Sequence, residues 1–299
     1  GLGYMTQEDL ARTEPCEFEE LADNPQERMT ALHHEFIASA LAVQAAHEID
    51  PENIVGDMCS HIVWYPHTCN PKDILAWQEK DSLFNDLCAD VQINGEYPNY
   101  AWAWLKKNNI DTSYIEEGDL EILKKGTVDL HTFSFYISNC VSTDPNVEKI
   151  GGNLVGGAKN PYLKASEWGW QIDPDGLLYL LNKLSSRYPH TPLMIVENGF
   201  GAMDNVEEDG SIHDPYRIDY FKKHIQAMRD AVENNVNLIG YTTWGPIDIV
   251  SAGTGQFAKR YGFIYVDRHD DGSGDFSRSR KDSFYWYKKV IASNGEDLD

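Results

Sequence analysis

The chain has 299 residues, 41% of them hydrophobic, with 11 Phe, 16 Tyr, 8 Trp and a formal charge of −23. That length can bury a full core in a single domain spanning residues 1–299, and the aromatic content suits stacking on sugars or other ring-shaped ligands. Nucleic acid and anionic membrane are excluded as partners, because phosphate surfaces call for clustered Lys and Arg, and there is no apolar run of about 18 residues to span a bilayer.

A long amphipathic helix begins just after Asn24-Pro25, carries Leu32, Phe36, Ala40 and Val43 at helical spacing, and ends before Pro51. His33 and His34 within it are adjacent, point to different sides and cannot make a His-x-x-x-His metal pair, so they are read as structural. Residues 53–59 read as a buried strand. A helix over residues 119–125, closed by Gly126, leads into a second strand over residues 128–136. Residues 151–157, with four glycines, read as a loop.

After Asp173-Pro174, Leu177, Leu178, Leu180, Leu181 and Leu184 mark a helix that feeds the apolar strand Leu193-Met194-Ile195-Val196. The next helix starts near Asp214-Pro215 and repeats Ile218, Phe221, Ile225, Met228 and Val232 at intervals of 3 and 4. Residues 238–244 read as a fourth strand, residues 270–277 as an acidic hairpin-like excursion, and a last helix lies around residues 283–292. Helices and short apolar strands thus alternate about four times, the pattern of a parallel α/β fold.

Cys16, Cys59, Cys69, Cys88 and Cys140 are odd in number and irregularly spaced, without a Cys-x-x-Cys pair. Free thiols in a reducing cytoplasm are expected, with no cofactor and no metal. No secretory signal is expected, and Gly1 in place of Met suggests that the chain begins inside a longer sequence.

Glu197-Asn198-Gly199 closes the third strand and sets a carboxylate at the mouth of a parallel barrel, where catalytic groups gather. A solvated strand end is the alternative. As an ionised, oriented carboxylate Glu197 suits nucleophilic attack on an anomeric carbon, and the phenol of Tyr136 at the second strand's end can donate to it. Trp244 near the fourth strand's end is either core or a platform for the C–H face of a sugar. Beyond it, Ser251, Lys259, Arg260 and Tyr261 surround a glycine-bearing turn in an otherwise acidic chain. Such donors bind a phosphate dianion, although an exposed basic loop gives the same pattern and the P-loop spacing is absent. The acidic runs Glu207-Glu208-Asp209 and Asp270-Asp271 lack calcium-loop spacing and read as solvated faces.

The segments Val-Glu-Asn-Gly-Phe-Gly, Asp-Pro-Tyr-Arg-Ile-Asp-Tyr, Gly-Tyr-Thr-Thr-Trp-Gly and Lys-Arg-Tyr-Gly-Phe-Ile-Tyr-Val-Asp resemble glycoside hydrolase family 1, and within it the bacterial 6-phospho-β-glucosidases. The likeness extends to Lys159-Asn160-Pro161-Tyr162 and to the stretch from Ser166 through Pro174. It implies a (β/α)8 TIM barrel that cleaves β-glycosides with retention. Glu197 then matches the nucleophile, Tyr136 the tyrosine that orients it, Trp244 the platform under the sugar, and Ser251, Lys259 and Tyr261 the triad that binds the 6-phosphate. Ser251-Ala252 stands where relatives acting on plain sugars present Glu-Trp. In the family the acid/base Glu lies on strand four and a sugar-binding Gln on strand one, and this chain starts after both. Strands five to eight with their helices are therefore expected, about the C-terminal three fifths of a member, poorly active or inactive alone. Its unpaired edges are expected to meet the missing N-terminal barrel half or a second copy. A fragment of a β-glucosidase without phosphate dependence and a non-catalytic sugar-phosphate binding module are the alternatives.

Overall fold

The computed structural model describes residues 23–150 and 155–299. Its centre is a run of four parallel strands, β1 (Gly56–Pro66), β2 (Leu130–Val141), β5 (Leu193–Asn198) and β6 (Leu238–Tyr241), each bonded to the next in that order. Two short strands, β3 (Lys149–Ile150) and β4 (Gly157–Ala158), add an antiparallel flap to the end of β2 through Cys140↔Ala158. This is the partial (β/α)8 barrel expected. Among the described residues β1 pairs with β2 alone and β6 with β5 alone, so each presents a free edge.

Before β1 runs α1 (Pro25–Ile49), started by the Asn24 side chain accepting from the Glu27 amide. Between β1 and β2 lie α2 (Pro71–Asp81), a π-helical turn (Ser82–Asp86), α3 (Leu87–Asn94), α4 (Asn99–Lys107) and α5 (Asp119–Lys125). The spacing predicts no helix over residues 71–107: across α2 and α3 the π turn inserts a residue and breaks the 3.6 period, whereas α4 does carry an apolar face, with Ala101 and Leu105 buried. Met29, Leu32, Phe36 and Ala40 of α1 pack with Leu87, Val91, Ala101, Leu105 and Leu123 into a small helical core. His33 is structural as expected, buried with its ring nitrogens 3.0 Å from the Tyr97 hydroxyl and 2.9 Å from Asp119 Oδ2.

The larger core lies where α6 (Pro174–Arg187) and α7 (Pro215–Glu233) cover the sheet, with Phe133, Leu177, Leu181, Ile195 and Phe221 fully buried. Asp173 starts α6 by accepting from the Gly176 amide at 2.8 Å, and Pro174 needs no amide partner there. Val232, the last member of the α7 repeat, is 51% exposed, since the helix ends one residue later and leaves the sheet. The fourth strand stops at Tyr241, which leaves Trp244 in the following loop. A hairpin, β7 (Ile264–Val266) and β8 (Arg278–Arg280), brackets the acidic excursion and precedes α8 (Asp282–Ala292). Residues 151–154 of the anticipated glycine loop lie outside the described residues, and Gly157 belongs to β4 rather than to a loop. No described helix is long and apolar enough to cross a membrane.

Gly126 ends α5, yet its φ of −111° is open to any residue. What requires glycine is space, because a Cβ would lie 2.3 Å from the Ala40 carbonyl oxygen of α1. Gly126→Ala must push α1 and α5 apart and is expected to cost about 1–3 kcal/mol by chemical denaturation. Unchanged stability would show that the helices separate freely.

Candidate active site

Glu197 meets Tyr136 because of an irregularity in the ladder. The pairing passes from Phe133↔Ile195 to Ser134↔Glu197, so β5 accommodates one extra residue, Val196, at this point. Glu197 thereby shares a rung with Ser134 instead of Phe135, whose ring is fully buried in the core. The Tyr136 hydroxyl donates to Glu197 Oε2 at 2.8 Å. Burial first, and the neighbouring Glu197 charge second, push the Tyr136 phenol far above its ordinary range, so the proton stays on the phenol.

The next residue, Asn198, is fully buried and fixes the strand end. Its amide donates to the Phe135 carbonyl at 2.8 Å and lies 3.0 Å from the Tyr220 hydroxyl, while Oδ1 accepts from Tyr241 at 2.9 Å. Its backbone carbonyl accepts the Trp244 amide at 2.9 Å, which ties the half-buried indole beside the Glu197 turn.

The basic loop is not exposed. Ser251, Lys259, Arg260 and Tyr261 are all buried, and Ser251 Oγ lies 3.1 Å from the Tyr261 hydroxyl. Lys259 Nζ sits 3.9 Å from the centroid of the Trp170 ring and 5.7 Å from that of Tyr261. Desolvation lowers the Lys259 ammonium to about 8. Gly201 makes room for this side chain, since a Cβ there would lie 2.4 Å from Lys259 Cγ. Asp270, which the sequence suggests is a solvated acid, accepts the Phe257 and Ala258 amides and closes the loop from outside. Glu207, Glu208 and Asp209 are exposed as expected.

Aromatic contacts join the two groups. Tyr136 meets Trp170 edge-on at 5.4 Å, Trp170 lies 6.4 Å from Tyr261, and Tyr261 meets Trp244 edge-on at 6.4 Å. A chain of contacts therefore connects Glu197 and Tyr136, through Trp170, to Lys259, Tyr261, Ser251 and Trp244. Sequence reasoning passed over Trp170 and Trp168, whose indole donates to Gln256 Oε1 at 3.0 Å. Their proximity to the basic loop arises from chain segments about 90 residues apart, which no local pattern reports.

Beneath the cleft lies a buried charge cluster, also unanticipated. Arg217 of α7 pairs with Asp214 at 2.9 Å and Asp204 at 2.7 Å, and donates to the carbonyls of Phe200, Arg260 and Tyr261. Lys281 bridges Asp204 and Asp248, and Asp248 accepts the Gly262 amide at 2.8 Å. The backbone on both sides of Tyr261 is thus held by charge-assisted bonds. Ala202 and Arg260 exchange both backbone hydrogen bonds at 2.9 Å, strapping the basic loop to the segment that follows Glu197.

Residues 15–296 match Glycosyl hydrolase family 1. The chain is 53% identical to aryl-phospho-beta-D-glucosidase BglH of Bacillus subtilis (strain 168), over 94% of this chain and 60% of that protein. It is 48% identical to 6-phospho-beta-glucosidase AscB of Escherichia coli (strain K12), over 94% of this chain and 59% of that one. Among solved structures, the family 1 b-glucosidase from Thermotoga maritima in complex with isofagomine lactam superposes with a TM-score of 0.75 at 28% identity, covering 89% of this chain and 57% of that one. The chain spans about three fifths of the length of these relatives. Matched along nearly all of its residues, and carrying a carboxylate–phenol pair at the end of a parallel strand, the chain belongs to glycosyl hydrolase family 1.

Proposed function

We propose that this chain supplies the nucleophile and the sugar-phosphate pocket of a retaining 6-phospho-β-glucosidase. The observation that carries this reading is the Glu197 carboxylate, held by the Tyr136 phenol at 2.8 Å and joined through Trp170 to the buried Ser251, Lys259 and Tyr261. The names of the relatives at 53% and 48% identity support the phosphorylated substrate.

In this reading Glu197 attacks the anomeric carbon while a carboxylic acid on the other face protonates the leaving oxygen. The covalent glycosyl–enzyme is then hydrolysed by water with the second carboxylate as base, the two carboxyls standing roughly 5–5.5 Å apart. Tyr136 holds the attacking oxygen in position. Trp244 presents its indole to the sugar, and Ser251, Lys259 and Tyr261 take the 6-phosphate. Glu167 is exposed and Glu233 ends α7, away from the C-terminal ends of the strands, so neither suits the acid role. We assign the acid/base carboxyl to protein outside these 299 residues, an N-terminal barrel half that pairs with the free edges of β1 and β6; a second copy would cover those edges without bringing that carboxyl. The described cysteines, Cys59, Cys69, Cys88 and Cys140, are all free thiols, which supports a reducing cytoplasm.

The isolated chain is expected to turn over 4-nitrophenyl 6-phospho-β-glucoside about 10²–10⁴-fold more slowly than a complete relative. Ordinary family rates from a well-folded monomer would refute the assignment of the acid/base group. Calorimetry should show binding of glucose 6-phosphate but not glucose, with Lys259→Met weakening it at least tenfold. Equal binding of both sugars would favour the second reading, a β-glucosidase indifferent to phosphate, to which the Thermotoga maritima structure lends support.

The same binding has a defined pH course. The Lys259 ammonium is charged below about 8 and neutral above it, while a phosphate monoester becomes a dianion above about pH 6. Affinity should be highest between these values and fall roughly tenfold per pH unit above 8. A flat profile from pH 7 to 10 would remove Lys259 from the phosphate site.

A further inference from the structure

At the opposite ends of the strands from Glu197, the register Asp57↔His131 brings together three side chains that no local spacing connects. An Asp57 carboxylate oxygen, Cys59 Sγ and a His131 ring nitrogen lie within 4.8 Å of one another, and all three residues are buried. His131 Nδ1 is 2.9 Å from Asp57, and Cys59 Sγ is 3.6 Å from Asp57 Oδ2.

The hydrogen bonds around this group determine where its protons sit. Asn85 Oδ1 accepts the Ile62 amide and its Nδ2 donates to the Ile62 carbonyl and to Asp81, so its oxygen faces His61. His61 Nδ1, 3.3 Å from that oxygen, must therefore carry a proton. With Nδ1 donating to Asn85, His61 Nε2 is the nitrogen that accepts, and His131 Nε2, 3.0 Å from it, is the one that donates. His131 Nδ1 then faces the Asp57 carboxylate at 2.9 Å, where a metal ion would take the place of a ring proton.

We propose that Asp57, Cys59 and His131 form a binding site for a soft divalent cation of the zinc class, independent of the glycosidase cleft. Nitrogen, thiolate and carboxylate are zinc's usual donors, at roughly 2.0–2.3 Å; the three atoms already lie within 4.8 Å of one another, and only the 2.9 Å His131–Asp57 contact has to open, to roughly 3.3 Å, for an ion of that size to be seated between them. The fourth ligand is Gln92, whose Nε2 donates to Ser39 and so turns Oε1 to within 3.8 Å of Cys59 Sγ. His131 Nε2–H donating to His61 is the outer-shell bond that orients a metal-bound imidazole. Binding displaces the Cys59 thiol proton and the His131 Nδ1 proton to solvent. Cys59 and Gln92 line a groove of about 940 Å³ beside the free edge of β1, which gives the ion a route in.

The test is titration of the full 299-residue chain with Co²⁺ as a spectroscopic probe and Zn²⁺ as competitor. One equivalent is expected to raise a thiolate-to-cobalt charge-transfer band that zinc abolishes. Cys59→Ser should lose the band and weaken binding at least tenfold, while Cys69→Ser leaves both unchanged. Should Cys59→Ser fail to fold, ¹⁵N spectra of the unmodified chain decide the matter. On adding zinc the His131 Nδ1 resonance should lose its proton coupling while Nε2 keeps it. A His131 that retains protons on both ring nitrogens in excess zinc, or a cobalt band indifferent to Cys59→Ser, would overturn the proposal.

Discussion

One guanidinium, cut off from water, holds the cleft in shape. Arg217 is fully buried, and its charge is matched by Asp204 and Asp214 while its remaining N–H groups reach three backbone carbonyls. A buried ion pair adds little net stability, since desolvation offsets much of the attraction, but removing one partner costs about 3–5 kcal/mol. The cluster therefore acts less as glue than as a constraint with few alternatives. Phe200 belongs to the turn after Glu197, whereas Arg260 and Tyr261 belong to the basic loop. By bonding all three carbonyls the same group fixes the distance between the carboxylate and the loop.

The chemistry of the cleft depends on that rigidity because its groups are kept from water. Lys259 meets indole faces, and burial lowers its ammonium toward neutrality. A cation so placed is costly in isolation and attractive to an incoming dianion, since both lose the same poor solvation at once. Tyr136 works in the opposite sense. Its phenol cannot ionise where it sits, so it remains a donor and holds the Glu197 oxygen in one direction.

Much of this was legible along the chain. The leucines after Asp173-Pro174 and the repeat after Asp214-Pro215 mark helices whose buried faces match the periodicity, because packing against a sheet selects one side of a helix. The strand ending in Glu197 was legible because apolar residues continue up to the carboxylate. Where a π turn interrupts α2 and α3 the period is lost, and those helices could not be read. Val232 was misread since periodicity reports a helix face but not where the sheet beneath it ends.

The sequence by itself determined which groups exist and their order: a carboxylate at a strand end, a phenol at another, and an island of basic and hydroxyl side chains in an acidic chain. Tertiary structure alone decided that Val196 is accommodated as an extra residue and turns Glu197 toward Tyr136, and that Trp170 stands between them and Lys259. It alone decided that Asp57, Cys59 and His131 meet. The physical reason is common to all three. Strand register and loop packing are set by contacts between residues far apart in the chain, and the local alternation of side chains carries no record of which rung they will share.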